Sequence, residues 1–409
     1  MSSKEEKSYI KQEKMFDERN MFIDEKNICD LSSLMISKFD NFLKIDVLKD
    51  TDLKIHIKIV NRETINAYAG FVGDDYKVAQ ILITQNMLIE LYRWAFTFTA
   101  YSKKFYQDSP QNIDDLNNFD LYKDSDFLFN DLPKFDLNKL DDFATILVQV
   151  LKDSQEHDLI DANFQVSKTM FWQWTLVSVL SHEVSHLLQK HMKILKDMGY
   201  KSGQYYSEIS TSTAFDNSQS LIPFRQSMEL LADIEGMMIT LKYMFHNKQL
   251  TFNNVYMLLC GQVCLFNQFY YDGTYSEQLN IFESTHPHPV IRMKFFEYFT
   301  YYVLEEIAFK NYDRDTFLKT CAYLGTKSNL LVGLYWKWRY LSDDNDGLTS
   351  FLNLSAEQGE QNAYEYNIYI KKYIFELCDF IEKEYLGDAT PLLFIKSRMK
   401  DFFEKRNPL

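Results

Sequence analysis

The run Ser181-His182-Glu183-Val184-Ser185-His186 lies inside an apolar stretch, Phe171 to Leu188, whose spacing is helical. On an α-helix, positions i and i+4 share a face. His182 and His186 can therefore turn two imidazoles toward one zinc ion. Glu183, beside the first ring, is placed to act on a water held by that metal. The form is HExxH. Histidine is only 8 of 409 residues, so a chance match in this chain has a probability on the order of 0.01.

A hydrolytic zinc needs a third protein ligand and keeps its fourth position for water. Downstream, Ser227-Met228-Glu229-Leu230-Leu231-Ala232-Asp233-Ile234-Glu235-Gly236 again has helical spacing. Glu229 and Asp233 are four apart and share a face. Glu229 is the expected third ligand. Asp233 is expected to accept the free ring N–H of one histidine, which fixes its tautomer and orientation. Leu230, Leu231 and Ala232 give the segment a buried character, and Ala232 is small enough for a close approach to the first helix. Asp216, Glu208 and Glu235 stay open as other third ligands. His191 follows His186 by five residues. A metzincin arrangement needs histidine six residues on and glycine three residues on, where this chain has Met192 and Gln189.

With these two segments the chain resembles the gluzincin clan of zinc metallopeptidases, whose pattern is HExxH plus a later Glu followed four residues on by Asp. The form Glu229-Leu230-Leu231-Ala232-Asp233 is similar to the HtpX and CAAX-prenyl endopeptidase branch, and to soluble peptidases of the Lit phage-exclusion type. Ile65-Asn66-Ala67-Tyr68-Ala69-Gly70 resembles the edge strand with which gluzincins hold substrate backbone. Thr285-His286-Pro287-His288-Pro289-Val290-Ile291-Arg292 resembles the His-Pro and Arg segment of the HtpX branch. The resemblance covers roughly residues 52–100 and 170–295. It implies a zincin-like catalytic domain with Zn2+ on His182, His186 and Glu229, and Glu183 as general base and then acid. His286, His288 or Arg292 could donate to the developing oxyanion; the resemblance favours His286 and gives Arg292 a second role, as a brace for Asp or Glu, while the other reading of the stretch is a stiff loop with two solvated imidazoles. Asn66, Ala67 and Tyr68 would bind substrate as an added antiparallel strand. One departure is the Ser-, Thr- and Tyr-rich segment from Tyr200 to Ser227, which could cover the cleft.

Composition bounds the alternatives. The formal net charge is −14, which argues against nucleic acid, whose binders rely on basic patches, and against anionic lipid. Met1 to Asn20 is highly charged and lacks the apolar core of a signal peptide. The longest apolar run contains the HExxH motif itself, and lipid would be a costly place for His182, Glu183 and His186. A cytoplasmic location away from the membrane is expected. Cys29, Cys260, Cys264, Cys321 and Cys378 form an odd, scattered set, as in a reducing compartment.

The expected fold class is α+β, mainly helical. A charged N-terminal helical segment (1–50) precedes a metallopeptidase domain (51–300) with a small mixed sheet. An acidic insertion occupies about 103–142, and a helical C-terminal region follows (301–409). In the sheet region Leu53, Ile55, Ile57 and Ile59 alternate with Lys54, His56 and Lys58. Scarce glycine (12) and proline (7) fit a helical build. The functional expectation is a zinc endopeptidase acting on an intracellular protein or peptide. The alternatives are a catalytically inactive zinc-binding protein or a helical protein-interaction module.

Overall fold

The structure is a computed structural model that describes residues 25–107, 162–199, 206–207, 221–271, 286–307, 313–340 and 357–405. Most of the acidic insertion, Asp216, Glu208 and nearly all of the segment 200–220 lie outside these residues. The fold is α+β and mainly helical, with a small mixed sheet near the N-terminus.

Helix α1 (Glu25–Phe42) buries Ile28, Ser32, Ile36, Phe39 and Phe42, a stripe spaced by three or four residues that faces the core. Strands β1 (Lys54–Val60), β2 (Ala67–Phe71) and β3 (Val78–Thr84) follow. The sheet order is β1-β3-β2-β4, where β4 is the short pair Tyr206–Ser207. β1 runs parallel to β3, and β2 runs antiparallel to it. β3 is central: Ala79, Ile81 and Ile83 are wholly buried on one face, and Leu82 and Thr84 are buried on the other. β1 keeps the alternation seen in the sequence, with Ile55 buried and Lys54 and His56 exposed.

Helix α2 (Gln85–Gln107) leaves β3 directly. Helix α3 (Ala162–Leu188) carries the HExxH motif, and α4 (His191–Asp197) follows after a sharp turn. Then come α5 (Ile222–His246), α6 (Phe252–Tyr271), α7 (Pro289–Ile307), α8 (Arg314–Tyr340), α9 (Glu357–Glu384) and α10 (Thr390–Lys405). From Phe171 to Gln189 every residue of α3 except Gln173 is buried. A helix buried all round has to be wrapped by other elements. Here α5, α6, α2 and β2 surround it. Gln226 to Met237 of α5 is likewise wholly buried. The HExxH and ELLAD helices are thus the two innermost elements, packed on one another.

Gly236 is what lets them pack so closely. A Cβ there would sit 2.8 Å from the backbone nitrogen of His182 and 2.9 Å from its Cα. Ala232, expected to allow the close approach, is buried, but the backbone contact falls one turn later. Gly236→Ala should push α3 and α5 apart and cost about 1–3 kcal/mol, the usual range for overpacking. A lower melting temperature together with weaker divalent-ion binding would bear this out. An unchanged melt would mean the helices separate freely.

One hydrophobic core runs from Ile28 to Phe403 and passes through all three expected regions. Neither expected boundary, near 50 or near 300, coincides with a break in it. α7 runs across residue 300. Leu386 N donates to Leu188 O at 3.0 Å, which ties the C-terminal helices to the end of α3. Among the described residues no helix is long and apolar enough to cross a membrane.

Candidate metal centre

The i, i+4 geometry of α3 brings His182 Nε2 and His186 Nε2 to 2.9 Å from each other. Glu229 rises from α5 to meet them. Its Oε2 stands 3.5 Å from His182 Nε2 and its Oε1 3.7 Å from His186 Nε2. All three side chains are buried, and their ligand atoms lie within 4.8 Å of one another. Two nitrogens bound to a tetrahedral zinc at about 2.0–2.1 Å stand roughly 3.3–3.4 Å apart. The observed separations bracket that value.

The surroundings prepare the rings. Asp233, one turn beyond Glu229, places Oδ1 2.9 Å from His182 Nδ1. A carboxylate at that distance favours the tautomer with the proton on Nδ1, which leaves the His182 lone pair at Nε2. Arg292 of α7 clamps the same Asp233 with two charged hydrogen bonds, Nε to Oδ2 and Nη2 to Oδ1, both 2.7 Å. Its Nη2 also lies 3.5 Å from Glu229 Oε2, and its guanidinium lies over the Phe266 ring at 4.6 Å. Arg292 is 1% exposed. Of the two roles expected for it, the geometry assigns the brace.

Electrostatics favour a cation. Burial pushes the Glu229 carboxyl up, but His286, the hydrogen bond from His182, His186 and Arg292 together hold it well below the usual carboxylate range. Burial, then the neighbouring His182, holds His186 well below its ordinary value, against the pull of Glu229. Neutral rings beside ionised carboxylates are the donor set a divalent ion requires. Among the described residues, Glu183, Glu229 and Asp233 are buried here together with one buried guanidinium, Arg292.

His286, three residues before α7, has Nε2 3.9 Å from Glu229 Oε1, and its side chain is 16% exposed. It borders the triangle without joining it. Burial pushes it down to about 4, with Glu229 opposing. His288 is buried, and its carbonyl accepts from Ile291 N and Arg292 N at 2.8 and 3.0 Å. Glu183 is 1% exposed, on the turn of α3 next to His182.

Two expectations need correction. The segment around Asn66, Ala67 and Tyr68, expected as an edge strand, is covered over Tyr68 and Ala69. β2 pairs with β3 on one side and with β4 on the other, Tyr68 opposite Ser207 and Ala69 opposite Tyr206. Asn66 is committed locally: its Oδ1 accepts from Ala67 N at 2.8 Å, and its backbone is tied to Thr84. Alternation within a strand carries no information about which distant residues pair with it. Glu235, an alternative third ligand, faces away from the rings. Its Oε2 accepts from Gln189 Nε2 at 2.7 Å, and its Oε1 accepts from the Tyr385 hydroxyl. Nothing local marks this link, because it joins α3 and α5 to the chain 150 residues on.

Burial pushes the Glu235 carboxyl up to about 7 despite its two donors. A carboxyl raised from an unfolded value near 4.5 makes the folded chain bind more protons between those pH values. Its stability cost is absent below about pH 4.5 and complete above about pH 7. Relative to Glu235→Gln, the wild type should lose up to ~3 kcal/mol as pH rises from 4.5 to 7.5. Denaturant melts of both proteins across that range test this, and a pH-independent difference would count against it.

Against protein-family models, curated proteins and solved structures, the chain has no match. What the protein does has therefore to be read from these side chains.

Proposed function

We propose that the protein is a zinc-dependent endopeptidase of gluzincin type that hydrolyses peptide bonds in a protein or peptide substrate. The observation that carries this is the convergence of His182, His186 and Glu229, buried and braced by Asp233 and Arg292. Zinc seated there would acidify a water and polarise a carbonyl. Glu183 takes the proton of the attacking water and delivers it to the leaving nitrogen. His286, more exposed than the three converging side chains, donates to the carbonyl oxygen as charge builds on it. Asp233 and Arg292 keep the His182 ring in register while this happens.

A second reading is favoured by the pairing of β2 with Tyr206–Ser207. In it the ion is bound but the strand edge a peptide would use is taken, and the protein is a metal-binding protein without proteolytic turnover. Elemental analysis of the purified protein, with a proteome-wide search for new N-termini on expression, separates the two. Near-stoichiometric zinc with new N-termini that vanish in Glu183→Gln supports the peptidase. Stoichiometric zinc with no new N-termini supports the second reading. A protein without metal sinks both.

A further inference from the structure

His191 lies beside the metal triangle, and neither the HExxH motif nor the third-ligand pattern uses it. On an unbroken helix a residue five beyond His186 would sit about 140° round the axis, pointing elsewhere. The chain avoids this. Lys190 takes the left-handed conformation, φ +50° and ψ +39°, which costs a non-glycine residue roughly 1–2 kcal/mol. Gln189 N and Lys190 N close the end of α3 on Ser185 O and Leu187 O at 2.9 and 3.1 Å. The next helix then starts with His191, turned back onto the face of His186. His191 is wholly buried. Its Nδ1 stands 2.7 Å from His186 Nδ1, with the rings edge to face at 71° and centroids 4.8 Å apart.

The two ring ligands are thus braced at the same atom by different chemistry. His182 points Nδ1 at a carboxylate, which can only accept. His186 points Nδ1 at an imidazole, which can accept or donate. For His186 to offer a lone pair at Nε2, its own proton must lie on Nδ1, and His191 must then accept it. We infer that His191 is the positioning residue for His186. It accepts the His186 Nδ1–H through its own Nδ1, carries its own proton on Nε2, and so aims the His186 Nε2 lone pair at the ion. This rests on the metal reading above but not on peptide hydrolysis.

The test uses the full chain and Zn2+, with affinity measured by competition against a chelator. His191→Phe keeps the ring and removes the acceptor. His191→Asn keeps an acceptor near the position of Nδ1. The Phe variant should bind zinc about 10–100-fold more weakly, the usual effect of removing such a partner, and the Asn variant should recover most of the loss. In the zinc-loaded wild type, imidazole 15N shifts should place the His186 proton on Nδ1 and the His191 proton on Nε2. That measurement decides the matter even if the Phe variant does not fold. Wild-type affinity in a folded Phe variant, an Asn variant no better than Phe, or a His191 proton found on Nδ1 would overturn the inference. Zinc binding without cleavage would end the peptidase reading and leave this affinity series intact. A wild type that binds no zinc would end both.

Discussion

Glu183→Gln should leave one zinc bound per chain while lowering peptide hydrolysis by about 10²–10⁴-fold, the range for loss of a general base and acid. The reason is positional. The three atoms that converge belong to His182, His186 and Glu229, and Glu183 is not among them. It is buried one residue from His182, so an amide of the same shape fits where the carboxylate was. Glutamine cannot take the proton of the attacking water, and the loss should fall on kcat. Turnover with the target found by the N-terminus search, together with metal content, reads both parts. Retained turnover would remove Glu183 from the mechanism. Loss of zinc along with activity would make it a ligand instead.

The second large effect is expected at Arg292, which touches none of the ligand nitrogens. Arg292→Met keeps much of the side chain's volume and its packing on Phe266, yet deletes the guanidinium that is bonded twice to buried Asp233. A buried charge left without its partner costs about 3–5 kcal/mol. In a chain of this size that lowers the melting temperature by on the order of 3–6 °C. The loss should be largest in metal-free protein, because a bound divalent ion supplies positive charge beside Glu229 and stabilises the fold by mass action. Adding Asp233→Asn should restore part of the stability, since the two residues share one interaction and their effects do not add. An Arg292→Met protein that melts like the wild type with and without zinc would show that the clamp contributes nothing.

What could be read in advance follows the range over which each feature is set. HExxH and Glu229-x-x-x-Asp233 are patterns within single helices. Their faces follow from 3.6 residues per turn, so the candidate ligand set and the carboxylate behind it were visible from spacing. The helical build and the small mixed sheet followed from scarce glycine and proline and from the alternation around Ile55. Arg292 was legible only as one of two roles, because its partner Asp233 is 59 residues away. The strand around Tyr68 was legible as a strand but not as an inner one, since its neighbour comes from residues 206–207. Gly236 carried a signal, a glycine inside an apolar helix, that points to close backbone approach. His191 carried none, because helical spacing placed it on the wrong face.

The sequence by itself determined the chemistry on offer: two imidazoles one turn apart, a carboxylate beside them, and a second helix bearing two more. Periodicity along one helix is a local property, and local properties survive without the rest of the chain. Only the tertiary structure decided that the two helices meet closely enough to bring three donors within 4.8 Å. It also decided that Arg292 holds Asp233, that His191 backs His186, and that β2 is paired on both sides. Each of these depends on contacts between residues whose relative placement the backbone sets through a turn, a glycine or a strand pairing, none of which a residue pattern encodes.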